Sequence, residues 1–222
     1  MKQPLTIPLA ILAAGVILAL ATYFALAKPG APAHEGDPSL VRPVGASDHI
    51  LGNPSAKVAV IEYSDFQCTY CKGFHETLSQ LVANEGSGGD VAWVFREFPL
   101  AEIHPNALAY AEAAECVAKV SGNDAFWKFA DELFANQPVD PNDFGSLALS
   151  AGAQGDSFAS CYTDASSTVA ARIQADRQNA LAVGAKGTPY SLLVVAGKAP
   201  VVLEGAYSYD ALKRLVDQAL AR

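Results

Sequence analysis

The longest uninterrupted apolar stretch of the chain lies at its amino-terminal end. Residues Leu5 to Ala27 form a run of 23 residues without a charged side chain, and a helix of about 20 apolar residues spans a hydrocarbon core. The pattern predicts a transmembrane anchor over residues 1–27. Lys2 precedes the run, which weakly favours a cytoplasmic amino terminus and places the rest of the chain outside the cytoplasm. The alternative is a signal peptide cleaved after Ala25-Leu26-Ala27, although such peptides usually have apolar runs of roughly 7 to 15 residues.

Residues 28–50 lack a helical or strand period. They are rich in Pro, Gly and small side chains, a composition typical of linkers. We therefore expect a flexible linker over residues 28–50 and a folded domain over residues 51–222.

The first half of this domain has a strand, helix and strand pattern. Val58 to Tyr63 is a short apolar run typical of a buried strand, and Val91 to Phe98 is a second one. The Gly-rich turn Gly86 to Gly89 precedes the second strand. Between the strands, apolar residues recur at the spacing of one helix face: Phe74, Leu78, Leu81 and Val82. The pattern predicts a βαβ unit.

The second half begins with a long helical block and ends with two strands and a helix. Residues 105–183 are Ala-rich and carry an amphipathic stripe typical of packed helices. Strand character returns at Tyr190 to Val195 and at Val201 to Glu204, and a closing helix is predicted over Tyr209 to Arg222. This order of elements predicts an α/β domain with helices inserted in its middle.

Charge argues against one class of function. The chain has 15 Lys and Arg against 23 Asp and Glu, a formal net charge of -8. Nucleic-acid binding depends on a basic surface that neutralises phosphates, so no nucleic-acid partner is expected.

Cys68 and Cys71 stand between the first strand and the first helix, in the stretch DFQCTYCKGF. A zinc site would need a second pair of Cys or His at short spacing, but Cys116 and Cys161 lie 45 residues apart, so no metal site is predicted. A structural disulfide across so short a loop would stabilise little. A helix amino terminus lowers the pKa of a cysteine. The position therefore favours a redox pair, in which an exposed Cys68 attacks and Cys71 resolves the mixed disulfide.

The other two cysteines have a different prediction. Cys116 and Cys161 are flanked by small or apolar residues, in a domain that the apolar run directs out of the cytoplasm. Disulfides persist in such compartments. We expect a structural disulfide between Cys116 and Cys161, with two buried free thiols as the alternative.

Several motifs together resemble one family. They are VIEYSDFQCTYCKGFH (Val60 to His75), FREFPL (Phe95 to Leu100), HPNA (His104 to Ala107), AAEC near FWKFADELF, and GTPYSLLV (Gly187 to Val194). From Val41 to Arg222 the chain resembles DsbA-like thiol-disulfide oxidoreductases of the thioredoxin superfamily. The resemblance implies a thioredoxin fold with an inserted α-helical domain, here preceded by the predicted transmembrane helix.

The resemblance also implies roles for individual residues. Thr188-Pro189 matches the family's cis-proline loop, which holds substrate backbone, although the default for an X-Pro bond is trans. With it we assign Thr69 and Tyr70, between the cysteines, to substrate contact; they replace the Pro-His pair of a strongly oxidising member. Glu62 matches a buried acid that exchanges a proton with the second cysteine, the alternative being a water-facing Glu on an edge strand.

Three polar residues near the motif receive structural interpretations. Asp65 is expected to form a turn or cap the helix, His104 to stand at a helix start, and His75 to lie on an exposed helix face.

The resemblance implies a protein thiol-disulfide oxidoreductase that needs no metal or organic cofactor. We expect it to oxidise cysteines of exported protein substrates and to be regenerated by a membrane redox partner. A disulfide reductase or isomerase is the alternative within this class. From another class, the alternative is a non-catalytic module that binds peptides at the Pro189 groove.

Overall fold

The structure is a computed structural model and describes residues 36–164 and 167–221. Five strands form one mixed sheet in the spatial order β1-β3-β2-β4-β5. The central β2 and β3 run parallel, and the other neighbours are antiparallel. The strands are β1 (His49–Gly52), β2 (Val58–Ser64), β3 (Val91–Glu97), β4 (Tyr190–Val195) and β5 (Val201–Glu204).

Helices cover both faces of this sheet. They are α1 (Thr69–Glu85), α2 (Ala107–Ala135), α3 (Phe144–Ser150), α4 (Gly155–Thr163), α5 (Ser167–Val183) and α6 (Tyr209–Leu220). Helix α2 is broken at Gly122, whose φ of 81° lies in the left-handed region that favours glycine. Four helices, α2 to α5, stand between β3 and β4 in the chain, which confirms the predicted thioredoxin fold with a helical insertion.

The alternation of side chains along β2 decides which residues meet α1. Successive side chains of a strand point to opposite faces of the sheet. Val60 packs in the larger apolar core with Phe74 of α1, whereas Ile61 and Tyr63 pack in a second core on the other face. Glu62 and Ser64 share the parity of Val60, so the strand directs them toward α1.

A disulfide joins two helices of the insertion. Cys116 of α2 and Cys161 of α4 are bonded, with their Cα atoms 5.7 Å apart. Both side chains are buried in the larger core. The bond therefore ties α4 to the core of the insertion.

The linker prediction for residues 28–50 is wrong for residues 36–50. Arg42 forms ion pairs with Asp48 (3.1 Å) and Asp176 (2.6 Å), both buried acids, and residues 49–52 form β1, which pairs with β3. Composition hides this attachment because buried ion pairs, not an apolar period, hold the segment. Residues 28–35 lie outside the described part of the chain.

The predicted transmembrane anchor, residues 1–27, also lies outside the described residues. Within residues 36–164 and 167–221, no helix combines the length and apolar character needed to cross a membrane. The prediction of an anchor stays a prediction.

Candidate active site

A turn shaped by Asp65 places Cys68 at the start of α1. The Asp65 carboxylate accepts the N–H groups of Gln67 and Leu100, each at 2.8 Å, and one of its oxygens lies 2.9 Å from Nδ1 of His104. Its backbone carbonyl accepts the Cys68 N–H at 3.0 Å. Asp65 thus forms the expected turn and, in addition, attaches it to the loop that carries His104.

The environment of Cys68 favours its thiolate, and its pKa is lowered to about 5. The largest cause is a hydrogen bond with the Cys71 thiol. Contact with Thr188 and the backbone N–H groups of Tyr70 and Cys71 act in the same direction and outweigh the opposing effect of burial. Cys68 is the N-cap of α1, where unpaired N–H groups and the helix dipole stabilise negative charge.

Cys71 has the opposite environment one turn further along α1. Its side chain is fully buried, and burial raises the pKa of its thiol well above the ordinary value. The hydrogen bond with Cys68 and the charge of Glu62 raise this pKa further. The two thiols therefore differ in charge near neutral pH, with Cys68 ionised and Cys71 protonated.

Cys68 is far less exposed than its place in the motif suggests. Only 6% of the residue is accessible, against none of Cys71. The reason is the loop before β4: the Cys68 thiol donates to the carbonyl oxygen of Thr188 at 3.4 Å. The expectation of an exposed Cys68 is corrected to a narrowly accessible one.

The Thr188-Pro189 bond is cis in the structure. A groove of 280 Å³ follows this loop and includes Lys186, Thr188, Pro189 and Glu204 among its lining residues. The predicted contact residues Thr188 and Pro189 thus lie beside the Cys68 sulfur. Thr188 therefore connects this groove to the reactive thiol.

The two residues between the cysteines face outward. Thr69 is exposed, and Tyr70 is 72% exposed, a high value for an aromatic side chain. Because they occupy the first turn of α1 beside Cys68, they present an aromatic surface next to the reactive sulfur.

Glu62 is completely buried, in the central strand of the sheet. Its Oε1 accepts the hydroxyl of Ser64 at 2.8 Å and its Oε2 accepts the indole N–H of Trp93 at 3.0 Å. Burial raises the pKa of Glu62 to about 8, although both hydrogen bonds lower it. The water-facing alternative does not describe this side chain, since β2 is an interior strand with helices on both faces.

Three residues of the site escaped the sequence analysis. Ser64 could have been found, because a residue two positions after Glu62 on a strand shares its face. Trp93 comes from β3. Gln137 follows the end of α2, and its side-chain amide donates to the carbonyl oxygens of Phe66 and, at 3.4 Å, Cys68. These partners lie 31 or more residues away, beyond the reach of local patterns.

His75 was expected on an exposed face, and this expectation is wrong. Only 5% of His75 is accessible, because it falls on the same helix stripe as the buried Cys71, Phe74 and Leu78. Its Nε2 lies 2.7 Å from Oδ1 of Asp131. The imidazole is therefore part of the core beneath the site.

Comparisons with known proteins agree with this geometry. A family model described as "Thioredoxin" matches residues 46–218. The Na(+)/H(+) antiporter NhaA 1 of Mycolicibacterium gilvum is 34% identical over 161 residues, which are 72% of this chain and 25% of that protein. NhaA 1 of Salinispora arenicola is 32% identical over 189 residues, 84% of this chain and 27% of that protein. The chain thus spans about a quarter of the length of these curated relatives.

Solved structures share the fold. Oxidised BdbD from Bacillus subtilis has a TM-score of 0.69 and 24% identity, covering 79% of this chain and 94% of that chain. The alpha-DsbA1 of Wolbachia pipientis has a TM-score of 0.69 and 20% identity, covering 83% and 96%. The family match covers most of the described residues and the solved structures share the fold around the cysteine pair, so the chain belongs to the thioredoxin family.

Proposed function

We propose that this chain exchanges disulfides with protein substrates outside the cytoplasm, most directly by oxidising their thiols through Cys68 and Cys71. The observation that carries the proposal is the unequal pair, in which the pKa of Cys68 is lowered to about 5 while that of Cys71 is raised. Disulfide exchange needs an accessible acidic thiol that reacts with the substrate and a second, protonated thiol beside it that resolves the mixed disulfide.

The reaction starts from the Cys68–Cys71 disulfide. A substrate thiolate attacks Cys68 Sγ, the bond between the two cysteines breaks, and Cys71 leaves as a thiolate that takes up a proton from Glu62. A second substrate thiolate then attacks the substrate sulfur of the mixed disulfide, and Cys68 leaves as a thiolate. The substrate gains a disulfide, and its two electrons remain on the reduced pair.

The low pKa of Cys68 supports oxidation over reduction. A thiolate held by N–H groups and a helix dipole stabilises the reduced form of the pair, which makes its disulfide a stronger oxidant. A thiol of low pKa is also a good leaving group in the second step. Thr69 and Tyr70 provide no cation to hold the thiolate, which keeps reduction or isomerisation as the alternative direction.

The groove at Thr188 and Pro189 and the exposed ring of Tyr70 are assigned to substrate contact. Residues 1–27 would anchor the chain in the membrane, and a membrane redox partner would reoxidise the pair. The antiporter activity in the names of the curated relatives is not carried over, since this chain spans about a quarter of their length.

The direction is tested by thermal unfolding and by equilibrium with glutathione buffers. We expect the reduced protein, with the Cys116–Cys161 bond intact, to unfold at a higher temperature than the oxidised protein, and its reduction potential to lie above about -200 mV, on the oxidising side of glutaredoxins. A potential near about -270 mV, the value of a reductant such as thioredoxin, would reverse the direction. Binding of peptides without any exchange would favour the non-catalytic module.

A further inference from the structure

Ser64 occupies a special position between the acid and the second cysteine. It is the last residue of β2 and is fully buried. Its hydroxyl donates to Oε1 of Glu62 at 2.8 Å, and the Ser64 side chain is also a neighbouring hydrogen-bonding group that lowers the pKa of the Cys71 thiol. A hydroxyl can donate one proton while it accepts another, so this side chain can serve both neighbours at once.

The other partner of Glu62 cannot play this part. Trp93 holds Oε2 through its indole N–H, which is a donor without a lone pair to accept a proton. Glu62, Ser64 and Cys71 are all completely buried, so bulk water does not reach the carboxyl directly. The described contacts therefore connect the carboxyl to the thiol through Ser64.

We propose that Ser64 is a catalytic residue that relays the proton between Cys71 and Glu62. This inference rests on the proposed function. When a substrate attacks the oxidised pair, Glu62 gives its proton to Ser64 Oγ while Ser64 gives its own hydroxyl proton to the departing Cys71 sulfur. In the reverse step, Cys71 S–H gives its proton to Ser64, Ser64 passes its own to Glu62, and the Cys71 sulfur bonds to Cys68 Sγ as the substrate thiolate leaves. The protons stay within the three side chains, and the negative charge passes between Glu62 and the substrate sulfur.

The reverse step can be measured alone. The reduced full-length chain, in detergent, is reacted with oxidised glutathione at about pH 4.5, where the Cys68 thiolate forms and Cys71 stays protonated. A jump to about pH 9, above the pKa of about 8 of Glu62, leaves this carboxylate able to accept a proton and starts the attack of Cys71 on the mixed disulfide. Acid-quenched samples then report glutathione release by mass spectrometry. We expect Ser64→Ala to slow release by roughly 100-fold, the lower end of the usual contribution of general acid-base catalysis.

The chain offers a matched control. Ser191 lies opposite Glu62 on β4 and is fully buried, but its hydroxyl has no hydrogen-bond partner in the described part of the chain. Ser191→Ala should release glutathione at the wild-type rate. An equal slowing in Ser191→Ala and Ser64→Ala would overturn the relay, because it would reflect the loss of any buried hydroxyl.

A double variant separates a relay from a packing effect. If Ser64 acts through Glu62, then Ser64→Ala should slow release less than about twofold when Glu62 is already Gln, since the two changes interrupt one path. Losses that multiply in the double variant would contradict the relay. A wild-type protein that forms no mixed disulfide at all would refute the proposed function, whereas normal exchange with an unaffected Ser64→Ala would refute the relay alone.

The wild-type protein provides a test that no folding defect can obscure. A relay moves two protons together. A plot of the glutathione release rate against the deuterium fraction, in mixtures of light and heavy water, should therefore be curved. A straight line, indicating one proton in motion, would overturn the relay.

Discussion

Two buried carboxyl groups on opposite faces of the sheet have pKa values shifted in opposite directions. Glu62 receives hydrogen bonds from two neutral donors, Ser64 and Trp93, and its pKa is raised to about 8. The Asp48 carboxylate forms ion pairs with Arg96 Nε at 3.0 Å and Arg42 Nη2 at 3.1 Å. These partners hold the pKa of Asp48 below the ordinary value despite burial. Burial acts in the same direction on both groups, so the charge of the partner decides which acid carries a proton.

This difference separates a chemical role from a structural one. A carboxyl that holds a proton near neutral pH can exchange it with Cys71, whereas a carboxylate locked between two guanidinium groups cannot. The arginine cluster, formed by Arg42 and Arg96 around Asp48, instead attaches residues 36–50 to the sheet.

The largest effect is expected at the cysteines themselves. Cys68→Ala should abolish thiol exchange, a loss of at least about 10³-fold, because it removes the only acidic thiol of the pair. Cys71→Ala should instead accumulate mixed disulfides with substrate, visible on non-reducing gels. Faster alkylation of Cys71 than of Cys68 at mildly acidic pH would contradict the assignment. Neither change should alter the arginine cluster.

Asp48→Asn should cost about 3–5 kcal/mol of unfolding free energy at pH 7, the usual result of removing one partner from a buried ion pair. The lowered pKa of Asp48 means that its contribution is present at neutral pH and lost as the pH falls through its folded-state pKa. The wild type should therefore lose stability in acid more steeply than the variant. Urea unfolding at several pH values measures both stabilities. If the Asp48→Asn variant is as stable as the wild type at pH 7, the cluster does not stabilise the fold.

Glu62→Gln should change the pH dependence of the unfolding free energy in the opposite sense. The pKa of Glu62 is raised from 4.5 to about 8, so the folded state binds a proton that the unfolded state releases between these values. Wild-type stability should fall as the pH rises through this window, by roughly 3–5 kcal/mol in total at about 1.4 kcal/mol per pKa unit. The variant should lack this fall while losing exchange rate. Parallel stability curves for the two proteins would refute the raised pKa.

The smallest expected effect comes from one donor of Glu62. Trp93→Phe removes the indole N–H from Oε2, which should raise the pKa of Glu62 further, by about one unit if the bond contributes the usual 1–1.5 kcal/mol. The pH dependence of glutathione release would move upward accordingly. Trp127→Phe is the control, since the buried Nε1 of Trp127 has no hydrogen-bond partner in the described part of the chain. A shift of the same size in both variants would contradict the specific role of Trp93.

Much of the fold could be predicted from local patterns. Strands β4 and β5 begin and end where the apolar runs do, and β2 and β3 differ from prediction by one residue at their ends. The cysteine pair, its place at a helix start and the cis-proline loop were also identified, the last through resemblance. These features depend on neighbouring residues, on helix termini and on a recognisable motif. His75 was misassigned because a single polar residue on a buried helix stripe resembles a surface position.

The sequence by itself determined the order of elements, the reactive pair and the helical insertion, because periodicity and spacing act over a few residues. Only the tertiary structure decided which groups surround the reactive thiols. Trp93 reaches Glu62 across 31 positions, Thr188 reaches Cys68 across 120, and Asp176 reaches Arg42 across 134. The pKa values of Glu62 and Cys68 follow from these contacts and from burial, since charge and desolvation act through space and not along the chain.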